Sequence, residues 1–427
     1  GSTAQLKQAL DGTITGGYKG NITINDKAGD TIQATDLSFV AGKTTGFINV
    51  TEAIVIIGGS TNVASAMTES KFSASKAIIE LRESSADDRH TLQQLKDINN
   101  ATEGEISIHS NRISVPLKGK MNDLVDALAG TFRLKYEGDV NIEDTTGSFT
   151  PFSLNAIIGK TNGDVVVDNA IEITGASKDI AESFTTKNFT ASKVTVKTGD
   201  THTLQQLIDI NKETSGEITL FKADEALTGS TAQLKDALDG TITGGYKGDI
   251  TLNDSDKTHI QATDLSFVAG KTAGSINVTK AINIQGTATE VASAMTEAKF
   301  TASKATVELS NAAHNLNELI QINNATLGAI TIHADRKAIA LEGSTANIKA
   351  ALDGMGADYY KGNITITDND SDPIQATHLK TIADTTSGTI TVTKAINIKG
   401  SATEVASAMT AAKFTATKAT IELSDAV

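Results

Sequence analysis

The spacing of apolar residues switches back and forth between two periods along this chain. In STAQLKQALDG, beginning at Ser2, the residues Leu6, Ala9 and Leu10 fall at helical spacing behind a Ser2 or Thr3 cap and stop at Gly12, which predicts a short helix. In GNITIND, beginning at Gly20, Ile22 and Ile24 alternate with Asn21, Thr23 and Asn25, which predicts a strand closed by Asn and Asp. The same pair of patterns recurs to the end of the chain. Strand-like runs are centred on Thr23, Asn49, Glu80, Ser107, Asn141, Val166, Thr195, Thr219, Thr251, Asn277, Glu308, Thr331, Thr365, Thr391 and Glu422, roughly 28 residues apart.

The order of these units is itself repeated. HTLQQLKDINNATEGEISI from His90 returns as HTLQQLIDINKETSGEITL from His202 and as HNLNELIQINNATLGAITI from His314, each step being 112 residues. Phe72, Phe189, Phe300 and Phe414 likewise share a (K/N)F(T/S)A(S/T)K word. The long period of about 114 residues divides the chain into repeats at approximately 1–119, 120–229, 230–343 and 344–427, the last incomplete, within one continuous array. A second apolar stretch, such as AIALEG at Ala338 or AINIQG at Ala281, predicts a short extra strand on every other coil. A helix between consecutive strands is long enough for a crossover, so neighbouring strands should be parallel, with the usual right-handed connection. Each unit can bury its apolar face only against its neighbours. The expected fold is therefore α/β: a right-handed solenoid of about fifteen strand-plus-helix coils, with a parallel β-sheet on one face and short helices on the other.

Composition narrows the chemistry. Aromatic residues make up only 4% of the chain and Trp is absent, so the core must be thin and built from Ile, Val, Leu and Ala. No cysteine is present, which excludes disulfides and thiolate chemistry. A net charge of −14 argues against nucleic acid as a partner, and the longest aliphatic runs, such as Ala53 to Ile57, are too short to span a membrane. Gly1 opens on a word, GSTAQL, that returns at Gly229, so the chain reads as cut from a longer array. Its ends should then expose apolar layers, and neighbouring repeats or further copies should meet end to end.

The words INNAT-x-G-x-I-x-I and GSTAQLKDALDGTITGGYKGDIT resemble the repeat arrays of very large, Thr-rich, Cys-free secreted or cell-surface bacterial proteins of the marine cyanobacterial type, and the resemblance covers nearly the whole chain. It implies a non-enzymatic spacer, surface-layer or filament element in an extracellular setting. The alternative is an adhesion solenoid that binds a glycan or a surface protein through its sheet face. Coil length and strand-then-helix order are also similar to leucine-rich repeats, although the L-x-x-L-x-L-x-x-N line is missing. Asn99, Asn211 and Asn323 are expected to end helices ahead of Gly104, Gly216 and Gly328.

No nucleophile elbow, P-loop, H-E-x-x-H or G-x-G-x-x-G word occurs, and no catalytic residue is assigned. The recurring His90, His202 and His314 lie four coils apart, roughly 19 Å at about 4.8 Å per layer, too far to share a substrate atom, and are expected as polar residues at helix starts. Glu80, Glu308 and Glu422 are separated in the same way, and a carboxylate pair of the glycosidase kind needs about 5 to 9.5 Å. Calcium is the one candidate cofactor. Asp368, Asp370 and Asp372 in TDNDSDP form an alternating acidic cluster, echoed by Asp254 and Asp256 and more loosely by Asp26 and Asp30. The EF-hand pattern fails there, with Pro373 at the Gly position and Leu379 at the Glu position, so a solvated acidic turn stands beside the calcium reading. Tyr18, Tyr136, Tyr246 and Tyr360 precede strands in Y-(K/E)-G words, where packing on the coil below is the expectation and sugar stacking the alternative.

Overall fold

The structure, a computed structural model, describes all residues except 70, 83–88, 298–299, 302–303, 370–372, 412, 417 and 425–427, and the side chains of Phe300 and Thr301. The described residues form an α/β fold of fifteen short α-helices and thirty-two strands of two to five residues. They group into two compact units. One comprises Gly1–His202, Asp209–Phe221 and Gly240–Thr243; the other comprises Thr203–Ile208, Lys222–Asp239 and Gly244–Val427.

Local sequence explains the helices. Helix Thr3–Leu10 is capped by Ser2, whose hydroxyl accepts from the Gln5 N–H while the Gln5 side chain accepts from the Ser2 N–H. The same reciprocal cap opens helices Leu92–Ala101, Thr231–Leu238, Ala288–Thr296, Leu316–Ala325 and Ala402–Met409. All fifteen expected strand centres lie in strands. Two expectations need correction. Every segment that follows a helix carries two strands, and those after Met121–Leu128 and Thr231–Leu238 carry three, so the extra strand is not confined to alternate coils. The strands also do not join into one sheet: they form eight separate sheets of three to five strands, four in each unit, with every paired neighbour parallel.

The reason for the separate sheets lies in how one ladder moves past the helices. Thr31–Gln33 and Val55–Gly58 lead into helices Ala34–Lys43 and Ser60–Thr68, and Ile78–Leu81 precedes Leu92–Ala101. Glu105–Ile108 and Thr131–Phe132, which complete the same sheet, instead follow helices. A ladder that begins on strands entering helices ends on strands leaving them, and a new ladder starts beside it. Register within the sheet is strict: Ile32 pairs with Ile56, Ile56 with Ile79, Ile79 with Ile106 and Ile106 with Phe132. The four isoleucines are buried, so the core is a stack of identical side chains one strand spacing apart.

One polar device recurs through both units. Thr44, Thr102, Thr161, Thr214, Thr272, Thr326 and Thr386 are buried, each two residues before a glycine. The Thr44 hydroxyl donates to the Gly20 carbonyl one coil earlier (2.7 Å) and accepts from the Gly46 N–H (2.9 Å). Thr161 does the same with Gly138 and Gly163, at 2.7 and 2.9 Å, and Thr272 with Gly248 and Gly274, at 2.7 and 2.9 Å. Thr102, Thr214, Thr326 and Thr386 bond the carbonyls of Ala77, Val194, Ala305 and Gly362. The glycine is required by contact: a Cβ on Gly274 would lie 2.3 Å from the Gly248 oxygen and 2.5 Å from its carbonyl carbon.

This contact yields a prediction. Gly274→Ala should lower stability by about 2 kcal/mol or more, because backbone atoms of two coils must part. Gly270→Ala, in helix Ala262–Lys271 with nothing within 4 Å of the new methyl, should be neutral or slightly stabilising. Urea denaturation of the two variants checks this, and equal midpoints would contradict it.

Candidate functional site

Each described member of the acidic set is bonded into the fold. The Asp254 carboxylate accepts from the Thr231 N–H (2.9 Å) and hydroxyl (2.8 Å), and Thr231 is the first residue of helix Thr231–Leu238 in the preceding coil. Asp368 does the same for Thr345, at 2.6 and 2.9 Å, and Asp26 does it for Thr3, both at 2.7 Å. Asp144 and Asp200 accept from the N–H groups of Met121 and Ser177, also first residues of helices. A carboxylate at a helix N-terminus satisfies orphan donors and opposes the helix dipole. Asp256 accepts from the Ala281 N–H and Asp30 from the Lys27 N–H. Asp370 and Asp372 lie outside the described residues. Among the described residues no group of three or more His, Asp or Glu is placed to hold a metal ion.

Each of the three glutamates stands in its own ladder position. Ile57 and Ser107 flank Glu80 in its ladder, Gln285 and Thr331 flank Glu308, and Lys399 lies beside Glu422, so none has a carboxylate as ladder neighbour. Hydrogen bonds from Gln285 and then Asn283 hold the Glu308 carboxyl below its ordinary range, and Lys399 does the same for Glu422. Helices Leu92–Ala101 and Leu316–Ala325 end ahead of Gly104 and Gly328 as expected, but Asn99 and Asn323 sit inside them. Their side-chain amides donate to the carbonyls of Asp126 and Ala350 in the next coil, both at 2.6 Å, a role the sequence reading missed.

A cleft of about 840 Å3 opens in the second unit. Asn323, Leu327, Ile330, Lys349, Met355 and His378 are among the residues that line it. Leu327 is 94% exposed.

Tyr136, Tyr246 and Tyr360 are buried, and their hydroxyls donate to the carbonyls of Val115, Glu225 and Ile339, so packing is the observed role; Tyr18 is exposed. His90 and His314, just before helix caps Thr91 and Asn315, are also buried. Their Nε2 atoms lie 2.7 Å from the Tyr136 hydroxyl and 2.9 Å from the Tyr360 hydroxyl. Because each Tyr proton goes to a carbonyl, a neutral imidazole can donate from Nε2 to the phenol oxygen. Each His–Tyr–carbonyl chain links residues 46 apart, a separation that no local word in the sequence announces. Burial, then the charge of Arg112, lowers the His90 pKa to about 4; burial, then opposing effects of Glu318 and Arg336, lowers that of His314.

No family model matches this chain, and no curated protein matches it. Among the described residues, no helix is long and apolar enough to cross a membrane.

The His90 pair carries a pH prediction. The folded state keeps His90 neutral down to about pH 4, whereas the unfolded chain binds a proton near pH 6.5. Stability from this residue is therefore complete above pH 6.5 and is lost as pH falls toward about 4, by on the order of 3 kcal/mol in all. Urea denaturation at steps between pH 7 and pH 4 should show a steeper decline for the native chain than for His90→Gln. Parallel declines would contradict the assignment.

Proposed function

We propose that the chain is a non-enzymatic structural module of a bacterial extracellular or cell-surface protein, a spacer, surface-layer or filament element whose coils wind as a right-handed solenoid. One observation carries this reading: the polar side chains that recur from repeat to repeat direct their hydrogen bonds at the neighbouring coil. The buried threonines bond carbonyls one coil away, the aspartates cap helices one coil away, and the tyrosines bond carbonyls of the preceding coil. Repeats that serve a ligand need recurring polar groups directed outward, toward a shared surface. Here the recurrence serves cohesion, which suits a part whose job is to extend and hold a distance. The likeness to Thr-rich surface arrays supports an extracellular setting.

Labelling of intact cells of the source organism with antibodies raised against the chain tests the placement. Labelling without permeabilisation is expected. Signal that appears only after permeabilisation would overturn the extracellular reading.

A further inference from the structure

The cleft in the second unit occupies the place where equivalent repeats carry a strand. In the first unit, two sheets end on a fifth, two-residue strand: Thr131–Phe132 pairs with Glu105 and Ile106, and Thr241–Ile242 pairs with Glu217 and Ile218. The next residue extends each ladder, the Arg133 N–H donating to the Ile106 carbonyl (3.0 Å) and the Thr243 N–H to the Ile218 carbonyl (2.9 Å). The corresponding sheet of the second unit, His259–Gln261, Asn283–Gly286, Thr306–Leu309 and Ile330–Thr331, has four strands among the described residues, and the Ile330 carbonyl receives no such donor from them.

The gap has a local cause. ALDG occurs both at Ala237–Gly240 and at Ala351–Gly354. Asp239 is helical (φ −65°, ψ −31°) and the chain runs on into Thr241–Ile242, whereas Asp353 has φ −56° and ψ 138° and the chain turns aside. Met355 and Gly356 stand where the Thr–Ile pair would be, and the residues beyond them are tied down elsewhere. The Asp358 N–H donates to the Asp384 carbonyl (2.8 Å), and the Tyr359 hydroxyl accepts from the Ile332 N–H (2.7 Å). The Lys337 ammonium lies over the Tyr359 ring, 3.6 Å from its centre, so the ring is pinned two residues beyond Ile330.

The two filled positions show what the open one can hold. In both, glycine precedes the threonine and touches an asparagine of the preceding coil: a Cβ on Gly130 would lie 1.8 Å from Asn99 Oδ1, and one on Gly240 would lie 1.7 Å from Asn211 Oδ1. Asn323 is the equivalent asparagine. Its amide donates to the Ala350 carbonyl at 2.6 Å, as that of Asn99 does to Asp126, and it lines the cleft. The glycine that should meet it, Gly354, has swung away, with nothing within 4 Å of a built Cβ. Ala329 replaces Glu105 and Glu217, which removes the carboxylate that lies 4.0 Å from Arg133 in the first unit and with it any call for a basic residue. Leu327, 94% exposed, replaces Glu103 and Ser215 and makes the rim apolar.

We propose that the cleft binds an extended segment of a partner protein as a parallel fifth strand, a segment that reads Gly, Thr and then an aliphatic or aromatic residue. The Gly lies against Asn323, the Thr opposite Ala329 and the apolar residue opposite Ile330, and the N–H that follows donates to the Ile330 carbonyl. The occupant continues a ladder that is already built, whose open edge supplies main-chain groups for pairing. Asn323 excludes a side chain at the Gly position, and Tyr359, holding the Ile332 N–H, limits the length of the ladder. Thr131–Phe132 and Thr241–Ile242 are held in their own sheets, so a second copy would have to open a ladder to donate either, whereas an extended segment of another protein needs no such rearrangement. The contact is short, and the binding should be weak. This inference goes beyond the structural role proposed above and does not depend on it.

The probe is a synthetic peptide with the sequence of Leu238 to Gly245, LDGTITGG, titrated into the isotopically labelled full chain and followed by NMR and amide exchange. Saturable binding is expected, with shifts centred on Ala329 to Thr331 and slower exchange of the Ile330 N–H. Peptides carrying Gly240→Ala, which sets a methyl against Asn323, or Thr243→Pro, which lacks the N–H for the Ile330 carbonyl, should bind about tenfold more weakly. In Asn323→Ala, with circular dichroism confirming the fold, the preference for glycine over alanine should disappear. No saturation at millimolar peptide, equal binding of the three peptides to the native chain, or shifts that spare Ile330 would overturn the proposal. So would self-association of the native chain that the peptide abolishes, since the occupant would then be a second copy.

Discussion

A threonine hydroxyl bonded at once to the carbonyl of the coil before it and to the glycine N–H two residues on fixes how closely successive coils approach. At Thr44 and Thr272 the residue also ends a helix, in extended geometry (φ −124°, ψ 151° and φ −118°, ψ 149°), so it turns helix into strand while docking the coil. Threonine suits this because its β-branch favours extended backbone and its hydroxyl both donates and accepts. Glycine then lets the two backbones touch. Once that distance is set, the isoleucine ladders fall into register, and a core of medium-sized aliphatic side chains fills the space without bulky aromatics.

A second device accompanies the first. Threonine clamps follow helices such as Ala34–Lys43 and Ala262–Lys271, whereas the aspartate caps act on helices such as Thr3–Leu10 and Thr231–Leu238 in the coils between. The two devices bridge the same pair of coils: Asp26 and Thr44 both join the coil of Thr3–Leu10 to that of Ala34–Lys43, and Asp254 and Thr272 both join the coil of Thr231–Leu238 to that of Ala262–Lys271. That pairing is the physical content of the two-coil period in the sequence. It also explains why Asp26, Asp254 and Asp368, which look like cation ligands in a linear reading, occupy equivalent places: each closes the helix of the coil before it.

Legibility in the sequence followed the length of each pattern. Ile22 and Ile24 alternate long enough to reveal a strand, and Ser2 with Gln5 announces a helix start. Thr31–Gln33 buries only Ile32, and Phe72–Ser73 has two residues, so no alternation exists to read. Division into eight sheets depends on drift between ladders and helices, which no local word encodes. The threonine clamps have a short sequence sign, a Thr two residues before a Gly that recurs in TEG, TSG and TLG, next to the more conspicuous Asn. His90 and Tyr136 are 46 residues apart, too far for a local word to announce their pairing. The open cleft was the least legible feature, because ALDG takes one path at Asp239 and another at Asp353.

Polar docking between coils, rather than the bulk of the side chain, holds the clamp position. Thr161, fully buried with its hydroxyl between the Gly138 carbonyl and the Gly163 N–H, separates the two contributions. Thr161→Val keeps the volume and strands both partners, at an expected loss of about 2 to 3 kcal/mol. Thr161→Ser keeps the hydroxyl and removes one methyl, at an expected loss of about 1 kcal/mol. Equilibrium denaturation should rank the variants with Val the less stable; Val equal to the native chain, with Ser the more damaged, would contradict the account.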